Sequence, residues 1–191
     1  MLGVAQGERE IKVTVMFLKT PLSENDVRKL RAGDVVFLSG KLFTARDQAT
    51  KRLLEKPNVI PRGACVYHCG PLAKKKRKKW KLVSAGPTTS SRMNSLLPSF
   101  IKKCSVRAII GKGGVDAKTT AAMRGKCVYL AAVGGAGALY ARQLKVKSVR
   151  WLELGEPEAL WELDARSFGP LIVAIDERGN NLYLIKRRKS A

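Results

Sequence analysis

The sequence predicts an α/β protein with a largely parallel sheet flanked by helices. Three observations lead there. Strand-like runs rich in β-branched residues alternate with helix-length segments, glycine turns separate them, and 45% hydrophobic content over 191 residues supplies a core of ordinary size. That amount suits one domain spanning residues 1–191.

Each element has its own signal. Residues 11–17 (IKVTVMF) alternate apolar and polar side chains, the pattern of a half-buried strand. Ser23, with Asp26 three residues later, marks the start of a short helix reaching Leu30. Gly33-Asp34 makes a turn into a strand at 35–38. Thr44 reads as the cap of a helix over 45–56, which Pro57 closes. Further strands are expected at 65–68, 81–84, 106–110, 127–133, 149–154 and 171–175. Helices fit 98–103, 117–124, 136–144 and 157–163, the last with Pro157 in its first turn. A turn at 179–181 leads into a late strand at 182–185.

Charge narrows the function classes. Lys and Arg number 37 against 15 Asp and Glu, a formal net of +22 with pI near 10.3. Such a balance calls for an anionic partner: nucleic acid, an acidic surface or an acidic substrate. The segment 74–81, KKKRKKWK, carries seven basic residues in eight, yet the excess is spread along the whole chain. Like charges must stay solvated, so a loop or hairpin tip is expected there. A nucleic-acid-binding module is the alternative reading, weakened because Trp80 alone offers a ring for base stacking. No apolar stretch is long enough to span a membrane. The first residues lack the apolar core of a signal peptide. Cys65, Cys69, Cys104 and Cys127 have neither CxxC spacing nor the density of a disulfide scaffold, so free thiols in a reducing cytoplasm are expected.

Two glycine-rich segments imitate nucleotide motifs. Gly111-Lys112-Gly113-Gly114 lacks the spacing and the Ser or Thr of a P-loop. Gly135-Ala136-Gly137 has Tyr140 where a dinucleotide fingerprint needs its third glycine, although Glu153 stands near the distance of a ribose-binding acid. His68 is the sole histidine. A multi-histidine metal site or a His-based triad would therefore need another chain.

Three segments combine small residues with one cation each: 44–47 (TARD), 86–93 (GPTTSSRM) and 111–114 (GKGG). Each follows a predicted strand, so in an α/β sheet all would lie at strand ends, where ligands bind. Arg46, Arg92 and Lys112 would converge on an anion, and guanidinium forks suit the carboxylates of a small dicarboxylate. The hydroxyls of Thr88 and Thr89 stand among these cations, which favour an alkoxide and so a usable base.

GDVVFLSGKLFTARD, SAGPTTSSRM, IIGKGG, YLAAVGGAGAL, GEPEALW and VAIDERGN, in that order, resemble the β subunit of two-subunit iron–sulfur hydro-lyases, the class I fumarases and tartrate dehydratases. The resemblance runs from about residue 11 to 183. It implies a swivelling β/β/α domain that closes over a [4Fe–4S] cluster held by a separate α subunit, in an α2β2 assembly. It implies reversible hydration of fumarate to malate, with tartrate or mesaconate as alternative substrates. By the same resemblance Thr88 is the base; Arg92, Lys112 and Arg46 hold substrate carboxylates; Thr89 lies beside them; and Asp47 orients Arg46. The family commonly has a histidine where this chain has Thr50.

Overall fold

The computed structural model describes residues 13–77 and 79–184. It is a mixed α/β fold whose elements run β1 (Val15–Thr20), α1 (Glu24–Lys29), β2 (Val35–Thr44), α2 (Asp47–Glu55), β3 (Cys65–Tyr67), β4 (Leu72–Lys76), β5 (Lys79–Ser84), α3 (Leu97–Cys104), β6 (Ala108–Gly111), α4 (Ala117–Met123), β7 (Val128–Ala131), α5 (Gly137–Arg142), β8 (Leu144–Arg150) and β9 (Leu160–Ile175). Seven strands form one sheet in the order β1-β2-β3-β6-β7-β9-β8. The four pairings from β1 through β7 are parallel, and the three made by β9 are antiparallel. The parallel part matches the sequence expectation. Residues 11 and 12 of the first expected strand lie outside the described residues.

β9 changes the architecture. Its 16 residues run antiparallel to nearly all of β2, pair with β8 through their first half and with β7 through their last. Pairing with both β2 and β7 closes a circuit of β2, β3, β6, β7 and β9, which leaves these strands few exposed edges. The expected helix at 157–163 is therefore corrected to strand from Leu160. Trp161, Leu163 and Ala165 are buried in alternation with the half-buried Glu162 and Asp164, a period of two that helix-favouring residues disguise. Lys41 of β2 meets Glu162 at 2.9 Å, directing the acid out of the core. β2 outruns its expected four residues because Gly40, at φ +105°, bends it past Thr20; a Cβ there would stand 2.8 Å from the Thr20 carbonyl oxygen.

Smaller corrections follow from tertiary pairing. Thr44 ends β2 instead of capping a helix, and its Oγ1 accepts the Trp161 backbone N–H at 3.2 Å. The expected helix at 136–144 stops at Arg142, and Leu144 begins β8. The expected strand at 149–154 ends at Arg150, because Trp151 adopts a left-handed φ of 63° and residues 152–154 form a 3-10 turn. Residues 182–184 are likewise a 3-10 turn, with Asn181 bridging Ile175, while Ile185 lies outside the described residues. Ser23 caps α1 as expected, its side chain and that of Asp26 exchanging hydrogen bonds with each other's backbone N–H.

Both faces of the parallel strands are covered, so they read as continuous apolar runs. One face gathers Tyr67, Ile110 and Leu130 with Leu38, Leu42, Trp161, Phe168 and Val173. The other sends Val66, Ile109 and Tyr129 against Leu53 of α2, Phe100 of α3 and Met123 of α4. Trp161 is fully buried, meets the Trp80 ring edge-on at 5.2 Å, and donates its ring N–H to the Glu156 carbonyl. Trp161→Ala is expected to cost about 3–5 kcal/mol of stability, measured by denaturant unfolding.

Candidate active site

Parallel strands β2, β3, β6 and β7 end at one edge of the sheet, and the residues that follow them build the site. Arg46 and Asp47 follow β2, His68 follows β3, and Lys112 follows β6. The segment after β5 is laid across this edge by backbone hydrogen bonds. The Thr88 N–H donates to the His68 carbonyl at 2.7 Å, the Lys112 N–H to the Thr88 carbonyl at 3.3 Å, and the Ser90 N–H to the Lys112 carbonyl at 3.0 Å. Thr89 and Lys112 are paired as in a parallel ladder, and Pro87 bridges Cys69. The two threonines and the lysine, distant in sequence, are thus joined through their main chains.

A buried polar cluster anchors this loop from below. Ser90 Oγ accepts the Tyr129 hydroxyl at 2.9 Å and lies 2.8 Å from His68 Nδ1. Serine, histidine and the tyrosine are all fully buried. Tyr129 donating to Ser90, and Ser90 to Nδ1, uses each hydroxyl proton once. Burial pushes the His68 pKa down to about 3, so the ring is neutral at physiological pH. Its Nε2 has no hydrogen-bond partner among the described residues. Gly111 makes this approach feasible: a Cβ there would lie 2.0 Å from Ser90 Oγ. Sequence reasoning missed His68, Ser90 and Tyr129 as a unit. A lone histidine and a serine beside the threonines were the only signals.

Arg46 and Asp47 start α2, but their pairing differs from expectation. Arg46 Nε lies 3.1 Å from Glu158 Oε1, and both side chains are about four-fifths buried. Glu158 Oε2 also accepts the Gln48 N–H at 2.9 Å. It thereby supplies the acceptor that the cap residue Arg46 does not offer at this helix start. The guanidinium rests on Gly70, where a Cβ would stand 2.9 Å from Nη1. Asp47 pairs instead with Arg92, at 3.5 Å. Glu158, within GEPEALW, is the orienting residue for Arg46 that spacing did not reveal. Thr50 is fully buried, its Oγ1 without a partner among the described residues, while its N–H donates to the Arg46 carbonyl.

All three cation-bearing segments therefore share one edge. Arg92 and Lys112 are exposed, Arg46 is mostly buried, and Thr88 and Thr89 are half-buried. Lys112 makes no ion pair among the described residues, which leaves its charge for an incoming anion. Cations and hydroxyls gathered at one strand edge suit a carboxylate ligand, because positive charge stabilises an anion and any negative charge developing on a nearby oxygen.

The thiols do not form a metal centre. All four cysteines are free and buried, and the described residues hold no group of three or more His, Cys, Asp or Glu arranged for a metal. Burial raises the Cys104 thiol to about 11 and Cys127 to about 12, and pushes Cys65 and Cys69 up as well, against the ionisation that ligation requires. These residues do not fit an iron–sulfur cluster. Among the described residues no helix is long and apolar enough to cross a membrane.

The fold and the loops at its strand ends define an α/β domain with a cationic, hydroxyl-bearing edge. The chain belongs to the fumarase C-terminus family, whose model matches residues 3–185. It is 47% identical over 171 residues to a Methanocaldococcus jannaschii protein provisionally named L(+)-tartrate dehydratase subunit beta, covering 85% of this chain and 88% of that one. It is 41% identical over 170 residues to the L(+)-tartrate dehydratase subunit beta of Escherichia coli K12, covering 86% and 85%. A Geobacillus stearothermophilus protein provisionally named class I fumarate hydratase is 39% identical over 173 residues, which is 88% of this chain and 34% of that longer protein.

His68 makes stability depend on pH with a definite sign. Its folded pKa, near 3, lies below the ordinary 6.5. The unfolded chain therefore binds the extra proton between these values, and folding stability falls as pH drops from about 6.5 toward 3. His68→Gln is expected to flatten that part of the stability–pH curve relative to the parent, measured by denaturant unfolding across the range. Gly111→Ala is expected to displace Ser90 and destabilise the fold by about 1–3 kcal/mol, read from the same unfolding midpoint.

Proposed function

We propose that this chain is the β subunit of a two-subunit [4Fe–4S] hydro-lyase that hydrates fumarate to malate reversibly. The observation that carries the reading is the joining of Thr88, Thr89 and Lys112 by backbone bonds, beside Arg46 and Arg92, in a chain of the fumarase C-terminus family. The cluster belongs to a partner α subunit, because the thiols present here are buried and protonated. A cytoplasmic site accords with four unpaired thiols, and one domain that swivels over its partner in an α2β2 assembly accords with the family resemblance.

Arg92 and Lys112 bind the substrate carboxylates, and the Glu158-held Arg46 completes the clamp. Thr89 lines the same loop, and Asp47 holds Arg92. In the dehydration direction the Thr88 oxygen takes the proton from the carbon next to the hydroxyl-bearing one. That C–H pair becomes the double bond as the hydroxyl departs. In hydration the Thr88 hydroxyl returns the proton to carbon while hydroxide adds to its neighbour. The flanking cations stabilise the Thr88 alkoxide, which is the base that dehydration starts from and the form that hydration leaves, while the departing hydroxyl takes its bonding pair as hydroxide.

L(+)-tartrate is the second substrate reading, supported by the 41% identity to the tartrate dehydratase subunit over most of both chains. It needs the same clamp and the same proton abstraction. Turnover of fumarate and of tartrate by the anaerobically assembled two-subunit enzyme separates them. Thr88→Ala is expected to lower kcat about 10²–10⁴-fold with the cluster spectrum unchanged, and near-normal turnover would remove Thr88 as the base. Arg92→Ala is expected to raise KM about 10- to 100-fold, with a smaller effect on kcat, in steady-state assays.

A further inference from the structure

The basic segment 74–81 takes no part in the clamp, yet the fold gives it a definite shape. β4 and β5 form a two-stranded hairpin separate from the main sheet. Their register sets Lys74 opposite Lys81, and Lys76 opposite Lys79. Alternation therefore places these four lysines on one face, together with the exposed Leu72 and Val83. The opposite face is turned to the core: Ala73 and Leu82 are buried, Trp80 packs on Trp161, and Lys75 covers the Trp80 ring at 5.6 Å. Like charges directly opposite one another destabilise a hairpin. Among the described residues none of these lysines has an acidic partner.

Beside this hairpin runs a groove of about 880 Å³, between β5 and β8 and floored by α5. Its walls carry Lys79, Lys81, Arg142, Lys145 and Lys147, with Leu144 and Val146 between the cations. Among the described residues no acidic side chain lines it, although Lys147 reaches Asp164 at 3.9 Å. β8 ends the main sheet and β5 pairs only with β4, so each strand has one edge without a strand partner among the described residues. Unpaired edges are templates for an added strand.

We propose that this groove docks an extended segment of a second polypeptide, one in which carboxylate and aliphatic side chains alternate. An extended segment repeats every two residues, about 6.7 Å, which matches Lys79 and Lys81 on β5. On β8 a bulge falls at Lys147, whose ammonium lies 3.9 Å from Asp164, leaving Lys145 as the wall cation of that strand without an acidic partner among the described residues. Its carboxylates would neutralise the opposed lysines, its aliphatic side chains would meet the half-buried Val146, and its backbone would pair with an open edge. Nucleic acid fits less well, because Trp80, the aromatic ring among the groove's lining residues, is half-buried, packed edge-on against Trp161 and covered by Lys75. A second copy of this chain, itself at +22, is repelled. The inference does not depend on the enzymatic reading.

The test uses the full-length chain and dye-labelled peptides of about twelve residues, one alternating Glu and Val, one alternating Gln and Val, beside oligothymidylate of matched length. Fluorescence anisotropy is expected to show the Glu-Val peptide binding at least about tenfold tighter than Gln-Val, weakening as salt screens the charges. Lys79→Glu/Lys81→Glu should weaken it about tenfold or more, whereas the reversal of exposed Lys102 and Lys103 on α3 should not. Lys79→Gln/Lys81→Gln, which relieves repulsion, guards against misfolding and should weaken binding in the same direction. Bound peptide should also slow amide exchange in β5 or β8. Equal binding of Glu-Val and Gln-Val, binding insensitive to Lys79 and Lys81, or tighter oligothymidylate binding through the same lysines would each overturn the proposal.

Discussion

The antiparallel pairing of β9 with β2 is the contact on which the remaining structure depends. Without it the parallel strands β1, β2, β3, β6 and β7 would form an open sheet with an exposed edge at β7. With it, the last long segment of the chain returns between β2 and β7 and closes the circuit. The same return places Glu158, two residues before β9 begins, at the start of α2, where it holds Arg46 and accepts the Gln48 N–H. Closure and the positioning of Arg46 are thus consequences of a single strand pairing. Trp161 adds to it, its backbone N–H bonded to Thr44 and its ring packed on Trp80.

The site itself is organised by main chain more than by side chains. Three short strands end together, and the loop after β5 is fastened across them by hydrogen bonds among His68, Thr88, Ser90 and Lys112. Main-chain fastening holds the loop without the threonine hydroxyls or the lysine ammonium, none of which has a side-chain hydrogen bond or ion pair among the described residues. Beneath it, Tyr129, Ser90 and His68 form a buried polar unit whose geometry depends on the missing side chain of Gly111. A neutral histidine serves that purpose better than a charged one, because a buried imidazolium without a counter-ion is costly.

Charge on this protein falls into two regions with different character. At the strand ends, Arg46 and Arg92 are each tied to a carboxylate, which sets their direction. On the β4–β5 hairpin the lysines face one another without acids, an arrangement that local pairing disfavours. The first pattern fixes the direction of individual cations, as the proposed function requires. The second is incomplete as it stands and is satisfied by an anionic partner that spans several residues.

Local chemistry in the sequence determined much of this protein. The continuous apolar runs of β3, β6 and β7, the Ser23–Asp26 cap of α1 and the glycine-flanked cations at three strand ends were all legible, because each depends on neighbours in the chain. Thr88, Thr89, Arg46, Arg92 and Lys112 could be named from those segments, and the structure brings the segments together; their roles remain part of the proposed function. What tertiary structure decided were the elements whose local preference was overruled or ambiguous. Residues 157–163 have helix-favouring composition, yet become strand from Leu160 because an unpaired edge of β2 accepts them. Thr44 resembles a helix cap, yet ends a strand and bonds to Trp161. Asp47 sits beside Arg46 in sequence, but Glu158, 112 positions from Arg46, is the acid that holds it. Such choices rest on partners brought together only by folding, and no pattern within a single segment encodes them.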